Sequence, residues 1–130
     1  MTKSYTIVRM LSKIIIFTYV LTTSAALIIM KVGAQDGMPI SLTGGRVSVN
    51  LNPAFLLGMF LYIVSFITYV YLISTYDLGY IVPLLASFVY VLTFTAAYFV
   101  FNEVFTLVKL LGIALILVGL ILLNMGSVGK

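Results

Sequence analysis

Residues 52–75 read NPAFLLGMFLYIVSFITYVYLIST. Asn52 suits a helix N-cap, and Pro53 suits the first helical position, where the missing N–H would be unpaired in any case. No charged residue follows until Asp77. A helix needs about 20 apolar residues to cross the hydrocarbon core of a bilayer. The stretch therefore predicts a transmembrane helix over 53–75.

The same reading extends in both directions. Upstream, the apolar run Ile14 to Met30 ends at Lys31 and predicts a span over 13–31. Downstream, spans are expected over 79–102 and 106–124. Asp77 can cap the third and Pro83 lies in its first turns, while Thr106 can cap the fourth and Asn124 and Gly126 can stop it. The basic lead Lys3, Arg9 and Lys13 resembles the start of a signal peptide. The apolar run behind it is longer than the usual segment of about 7–15 residues, and further spans follow, so it is read as a span. The expected fold is an all-α membrane protein: a single four-helix transmembrane domain over 1–130.

Composition agrees. Hydrophobic residues make up 63% of the chain and charged residues 8%, against about 45–50% and about 25% in soluble domains. A 130-residue chain cannot bury so much apolar surface within itself, so the surplus must face lipid. There is no Cys and no His. That removes disulfides, thiolate metal sites and the usual general base. Asp36, Asp77 and Glu103 are the whole carboxylate supply. No metal site, cofactor or enzymatic activity is expected. The net charge of +4 is scattered, which suits anionic headgroups rather than nucleic acid.

The connections differ. Residues 75–78 and 102–106 are short links that force antiparallel neighbours. Residues 32–52 are longer and polar. Within them Ile40-Ser41-Leu42-Thr43, then Gly44-Gly45, then Arg46-Val47-Ser48-Val49-Asn50-Leu51 alternate about a two-residue turn, which predicts a β-hairpin. An isolated hairpin is marginal in water, so it is expected to lean on the membrane interface or a partner. The competing reading is a flexible loop with chance alternation. Topology is nearly balanced: Lys3, Arg9, Lys13 and Lys130 lie on one side, and Lys31, Arg46 and Lys109 on the other. The excess favours both termini inside, yet it is small enough to permit dual insertion.

Charges at mid-membrane usually mark a mechanism. None is expected here, since Lys13, Lys31, Asp77, Glu103 and Lys109 fall at span ends. Hydroxyls and aromatics recur instead at helical spacing. Tyr19, Thr22, Thr23 and Ala26 share a face of the first span. Tyr62, Ser65 and Tyr69 share one on the second, and Pro83, Ser87, Tyr90, Phe94 and Tyr98 one on the third. Together they would line a polar, uncharged groove. The alternative is ordinary helix packing and interface belts. On the fourth span Gly112 and Gly119 fall on one face and would let a second copy approach closely, or else pack within the monomer. Glu103 and Lys109 flank the last turn and would form a weak pair near water.

The segments Asp77-Leu-Gly-Tyr-Ile-Val-Pro83, Asn102-Glu103 and Gly112-Ile-Ala-Leu-Ile-Leu-Val-Gly119, with a first span ending in Lys31, resemble the drug/metabolite transporter superfamily. The resemblance covers nearly the whole chain except the hairpin. Two four-span branches are similar. Small multidrug resistance proteins are antiparallel homodimers that exchange protons for cationic drugs through a first-span glutamate. An ungapped count back from Lys31 puts Thr23 at that position, and the chain has no Trp for the aromatic clamp, so that mechanism does not transfer. The small EamA-like subunits related to undecaprenyl-phosphate-aminoarabinose flippases lack the glutamate too, and share the Gly-x-x-x-Pro start and the Glu103 turn.

That second resemblance implies a lipid-phosphate-sugar cargo. Lys13, Lys31 and Arg46 would meet the phosphate headgroup, and the groove hydroxyls would meet the sugar. Pro83 and Glu103 would serve as structural turn residues. The expectation is a flippase for a polyprenyl-phosphate-linked sugar in a bacterial inner membrane, contacting membrane lipid. It would work as a homodimer, antiparallel or not, or as a heterodimer with a paralogue. The alternatives are a small-molecule exporter of the multidrug type and a non-transporting accessory subunit of a glycosyltransferase system.

Overall fold

The computed structural model describes residues 2–35, 37 and 40–127; Asp36 and Lys130 lie outside them. Four helices and one hairpin follow in the order α1 (Thr2–Gln35), β1 (Ile40–Thr43), β2 (Arg46–Val49), α2 (Pro53–Thr75), α3 (Leu78–Phe99) and α4 (Leu107–Ser127). All four helices are long and apolar enough to cross a membrane, so the chain is built as a multi-pass membrane protein.

The helix ends depart from the sequence reading in instructive ways. α1 begins eleven residues before the expected 13 and continues to Gln35. No Gly or Pro interrupts the chain before Gly33, so nothing stops the helix at Lys13 or Lys31. Lys13 and Lys31 are eighteen residues apart, about 27 Å along a helix, close to the hydrocarbon thickness of about 30 Å. The first three turns of α1 precede Lys13. α3 ends at Phe99 rather than 102. Val100 N–H donates to Ala96 O, Asn102 takes a left-handed φ of 50°, and Glu103 N–H turns back to Ala97 O at 3.0 Å. Asn tolerates that conformation better than most residues. α4 runs past Asn124, whose amide donates to Leu120 O at 2.9 Å instead of stopping the helix.

The caps vary. The Asn52 side chain accepts from Ala54 N–H at 2.9 Å with Pro53 behind it, as read from sequence. Thr106 Oγ1 accepts from Lys109 N–H at 3.4 Å. Asp77 occupies the N-cap position of α3, but its side chain makes no capping bond. Its carbonyl accepts from Tyr80 and Ile81 at 3.0 and 2.9 Å.

The hairpin is formed. Ile40 pairs with Val49, Ser41 with Ser48, Leu42 with Val47 and Thr43 with Arg46. Gly44 and Gly45 carry φ of +62° and +77°, as a two-residue turn of matching twist requires.

α1 lies along α2 and touches α3; α3 also meets α2 and α4, and among the described residues α4 meets no helix but α3. Packing is concentrated at two places. Near the α2–α3 link, Val20, Leu72, Ile81 and Leu85 form a buried cluster with Tyr19, Tyr69 and Tyr80 against it. At the opposite end α1 and α2 meet backbone to backbone. A Cβ on Gly58 would stand 2.8 Å from Met30 N and 3.0 Å from Ala26 O, and one on Gly33 would stand 2.5 Å from Phe55 N. On α2 the buried positions Gly58, Ser65 and Leu72 recur every seven residues, which makes one continuous seam. Ala26, expected on the groove face, belongs to this crossing.

Candidate functional site: a tyrosine-lined groove and a lysine cluster

Between the two packed regions α1, α2 and α3 diverge and leave a cavity of about 380 Å³. Tyr19, Thr23 and Leu27 of α1, Tyr62, Ser65, Phe66 and Tyr69 of α2, and Val82, Leu85, Ala86, Val89 and Tyr90 of α3 line it. Six of the expected groove residues thus meet: Tyr19, Thr23, Tyr62, Ser65, Tyr69 and Tyr90. Tyr19 and Tyr69 rings lie 5.7 Å apart across the α1–α2 side. No charged side chain lines the cavity.

The other six residues expected on these faces do not join them. Ala26 packs at the α1–α2 crossing, and Phe94 borders the two hollows further along α3. Thr22 is half-buried beside the ladder of lining residues, one position off its face. Ser87 donates back to Pro83 O and Leu84 O at 2.8 and 2.9 Å and does not line the cavity. The rotation of α3 is set by burying Ile81 and Leu85, which brings Val82, Ala86 and Val89 to the groove and turns Ser87 aside. Tyr98 sits further along α3, stacked on Phe105 at 6.0 Å, beside a separate hollow with Glu103. Pro83 lies inside α3, half-buried, and the helix continues through it.

The groove holds polar groups that the protein leaves open. Thr23, which lines it, is 6% exposed; the adjacent Ser24, which does not line it, is 3% exposed. Neither hydroxyl has a partner of hydrogen-bond geometry, although Tyr19 lies beside Thr23. Ser65, equally buried, donates to Tyr62 O at 2.8 Å and retains its acceptor capacity. Elsewhere in the helices Thr68, Thr93 and Thr95 bond back to the carbonyl four residues earlier. Thr23 makes no such bond. A buried hydroxyl without a partner is costly, so it marks a place where a ligand group is favoured.

The groove leads to charge. Tyr19, Thr23, Leu27 and Lys31 follow at intervals of four on α1 and form one line along its face. Leu27 borders both the main cavity and a smaller one of about 190 Å³. There Lys31 donates to Glu103 Oε1, and Lys109 Nζ lies 3.6 Å from Glu103 Oε2. Lys31 also lies over the Phe101 ring at 4.4 Å and Lys109 over Phe105 at 4.6 Å. The hydrogen bond from Lys31 holds the Glu103 carboxyl below its usual range, with the two lysine charges adding to it.

The sequence pairs Glu103 with Lys109 alone; the shorter contact comes from Lys31, 72 residues away. The four-residue ladder on α1 carries the signal that links Lys31 to the groove. Lys13 lies at the far end of the bundle beside Tyr80, and Arg46 lies on the hairpin across from Thr43. The three expected headgroup cations therefore do not form one cluster. Lys31 gathers with Lys109 instead. A Cβ on Gly112 or Gly119 would meet nothing within 4 Å, so neither glycine packs within the monomer. Comparison of the chain with protein-family models, with curated proteins and with solved structures finds no match.

Proposed function

We propose that the chain is a flippase-type transporter that moves a polyprenyl-phosphate-linked sugar across a bacterial inner membrane. One observation carries the reading: an uncharged hydroxyl-lined groove is joined, along one face of α1, to a pair of lysines that share a single carboxylate. Two ammonium groups on one carboxylate leave a net positive charge, which suits a phosphate headgroup. The tyrosine and threonine hydroxyls are suited to sugar hydroxyls, while the polyprenyl tail stays in lipid. A proton-coupled cation exchanger would need an acid in the groove, and the groove residues supply none.

A single four-helix unit makes a short wall rather than an enclosed path. In this reading two copies assemble through the exposed Gly112 and Gly119 face of α4. The observation in favour is that among the described residues α4 meets only α3 and that both glycines face open space. A heterodimer with a similar chain would use the same face.

The test is reconstitution into liposomes with a fluorescent polyprenyl-phospho-sugar. Protein-dependent exposure of the label to an external quencher is expected. No translocation, together with drug-driven proton movement, would overturn the reading in favour of a multidrug-type exporter.

A further inference from the structure

The hairpin between α1 and α2 has two unlike faces. In an antiparallel pair, directly opposed side chains point to the same side. The register therefore places Ile40, Leu42, Val47 and Val49 on one face, and Ser41, Ser48, Thr43 and Arg46 on the other. The hydroxyls of Ser41 and Ser48 meet across the polar face. The apolar face is bare: Ile40, Leu42, Val47 and Val49 are 56–79% exposed, and among the described residues no helix packs on either strand. Two strands alone are barely stable in water, and a water-facing row of Ile, Leu and Val makes that worse.

We infer that the hairpin lies in the lipid–water interface, with this apolar face in the upper acyl region and Arg46 among the lipid phosphates. The chain itself sets the depth. β1 follows the end of α1 by five positions and β2 precedes Pro53 of α2 by four. At about 3.3–3.6 Å per residue the hairpin base stays within about 18 Å of two span ends. Lys31, one turn before the end of α1, marks the headgroup level on that side. Gly37 and Asn50 lie against each other at the base, so both tethers converge. A sheet so tethered stays close to the membrane surface. Laid flat, it buries the apolar row and keeps the hydroxyls wet. Arg46 stands next to the Gly44-Gly45 turn, on the polar face, where its guanidinium can fork two hydrogen bonds to a phosphate. An anionic lipid surface complements that charge. This placement is independent of what the groove carries.

The chain has no Trp, so one introduced tryptophan reports alone when excited beyond tyrosine absorption. Leu42→Trp and Val47→Trp probe the apolar face, and Ser48→Trp the polar face. Each is reconstituted in phosphatidylcholine–phosphatidylglycerol vesicles carrying acyl-brominated lipid or exposed to aqueous iodide. The expected result is several-fold stronger quenching of the apolar-face probes by bromine than by iodide, with Ser48→Trp reversed. Adding Arg46→Glu to Leu42→Trp is expected to raise its iodide quenching. Iodide access to the apolar-face probes, equal behaviour of the two faces, or shielding from both quenchers overturns the inference. The last outcome would mean that a second protein chain covers the hairpin.

Discussion

Lys31 on α1 donates to Glu103 in the turn between α3 and α4, and so joins two helix ends that no short link connects. Glu103 lies in the link between two helices and Lys31 in the last turns of α1, and the pair is partly exposed, which limits its strength. Its pH dependence has a definite sign. The Lys31 hydrogen bond depresses the Glu103 carboxyl, so any stabilisation is present above the unfolded value and fades as pH falls through the folded one. Glu103→Gln is therefore expected to lower the melting temperature slightly at neutral pH. The gap to wild type should close below the ordinary glutamate range of about 4.3. Thermal unfolding in detergent across that range checks this, and a gap that persists in acid would contradict it.

Gly58 and Gly33 are the points where α1 and α2 touch backbones. A side chain at Gly58 would press on Met30 N and Ala26 O, which cannot rotate away. Gly58→Val is expected to destabilise the fold by about 1–3 kcal/mol, the usual cost of overpacking. Gly126→Ala, with open space around it, is the matched control and should cost nothing. Denaturant titration in mixed micelles separates the two. Equal stability of both variants would mean that the helices do not cross this closely.

These same positions show what the sequence makes legible. Span identity follows from run length, and the hairpin from strict alternation about Gly44-Gly45, because both signals are local. Six groove residues were readable because hydroxyls and tyrosines stand out from Leu and Ile at helical spacing. Helix rotation was not readable. In a water-soluble helix the polar side shows which way is out, whereas here Ile and Leu face both lipid and core, so nothing local turns Ser87 away from the groove or Val82 toward it. The Lys31–Glu103 contact was hidden for a different reason. It depends on how two distant chain ends are brought level, which residue spacing does not encode. Thr23 lines the cavity, and spacing alone does not show that it is buried there without a partner of hydrogen-bond geometry among the described residues.

Gly112 and Gly119 yield a prediction that separates folding from assembly. Both face open space in the monomer, so Gly112→Leu with Gly119→Leu should leave the melting temperature of the isolated chain unchanged. If a second copy seats on this face, the same pair of changes should block close helix approach and abolish the dimer. Light scattering in detergent, with crosslinking in liposomes, reads the oligomer directly. A dimer that survives the double substitution would move the interface elsewhere.

Thr23→Val divides stability from function at the groove itself. The two side chains are nearly the same shape, so the variant removes a hydroxyl without opening a cavity. In most buried sites that loss severs a hydrogen bond and destabilises the protein. Thr23 Oγ1 is buried with Tyr19 beside it, and among the described residues it has no partner of full hydrogen-bond geometry, so its removal gives up little. The fold should be as stable as wild type, or more stable by about 1 kcal/mol. Transport should move in the opposite direction. If the hydroxyl bonds a sugar in the groove, its loss removes about 0.5–1.5 kcal/mol of binding, roughly a two- to tenfold loss in affinity for the lipid-linked sugar. Thr23→Ser retains the hydroxyl and should keep most of the affinity. Melting curves and binding isotherms on the three proteins test both halves. A Thr23→Val protein that is markedly less stable would show that the hydroxyl has a structural partner. One that is stable and transports normally would remove Thr23 from the site.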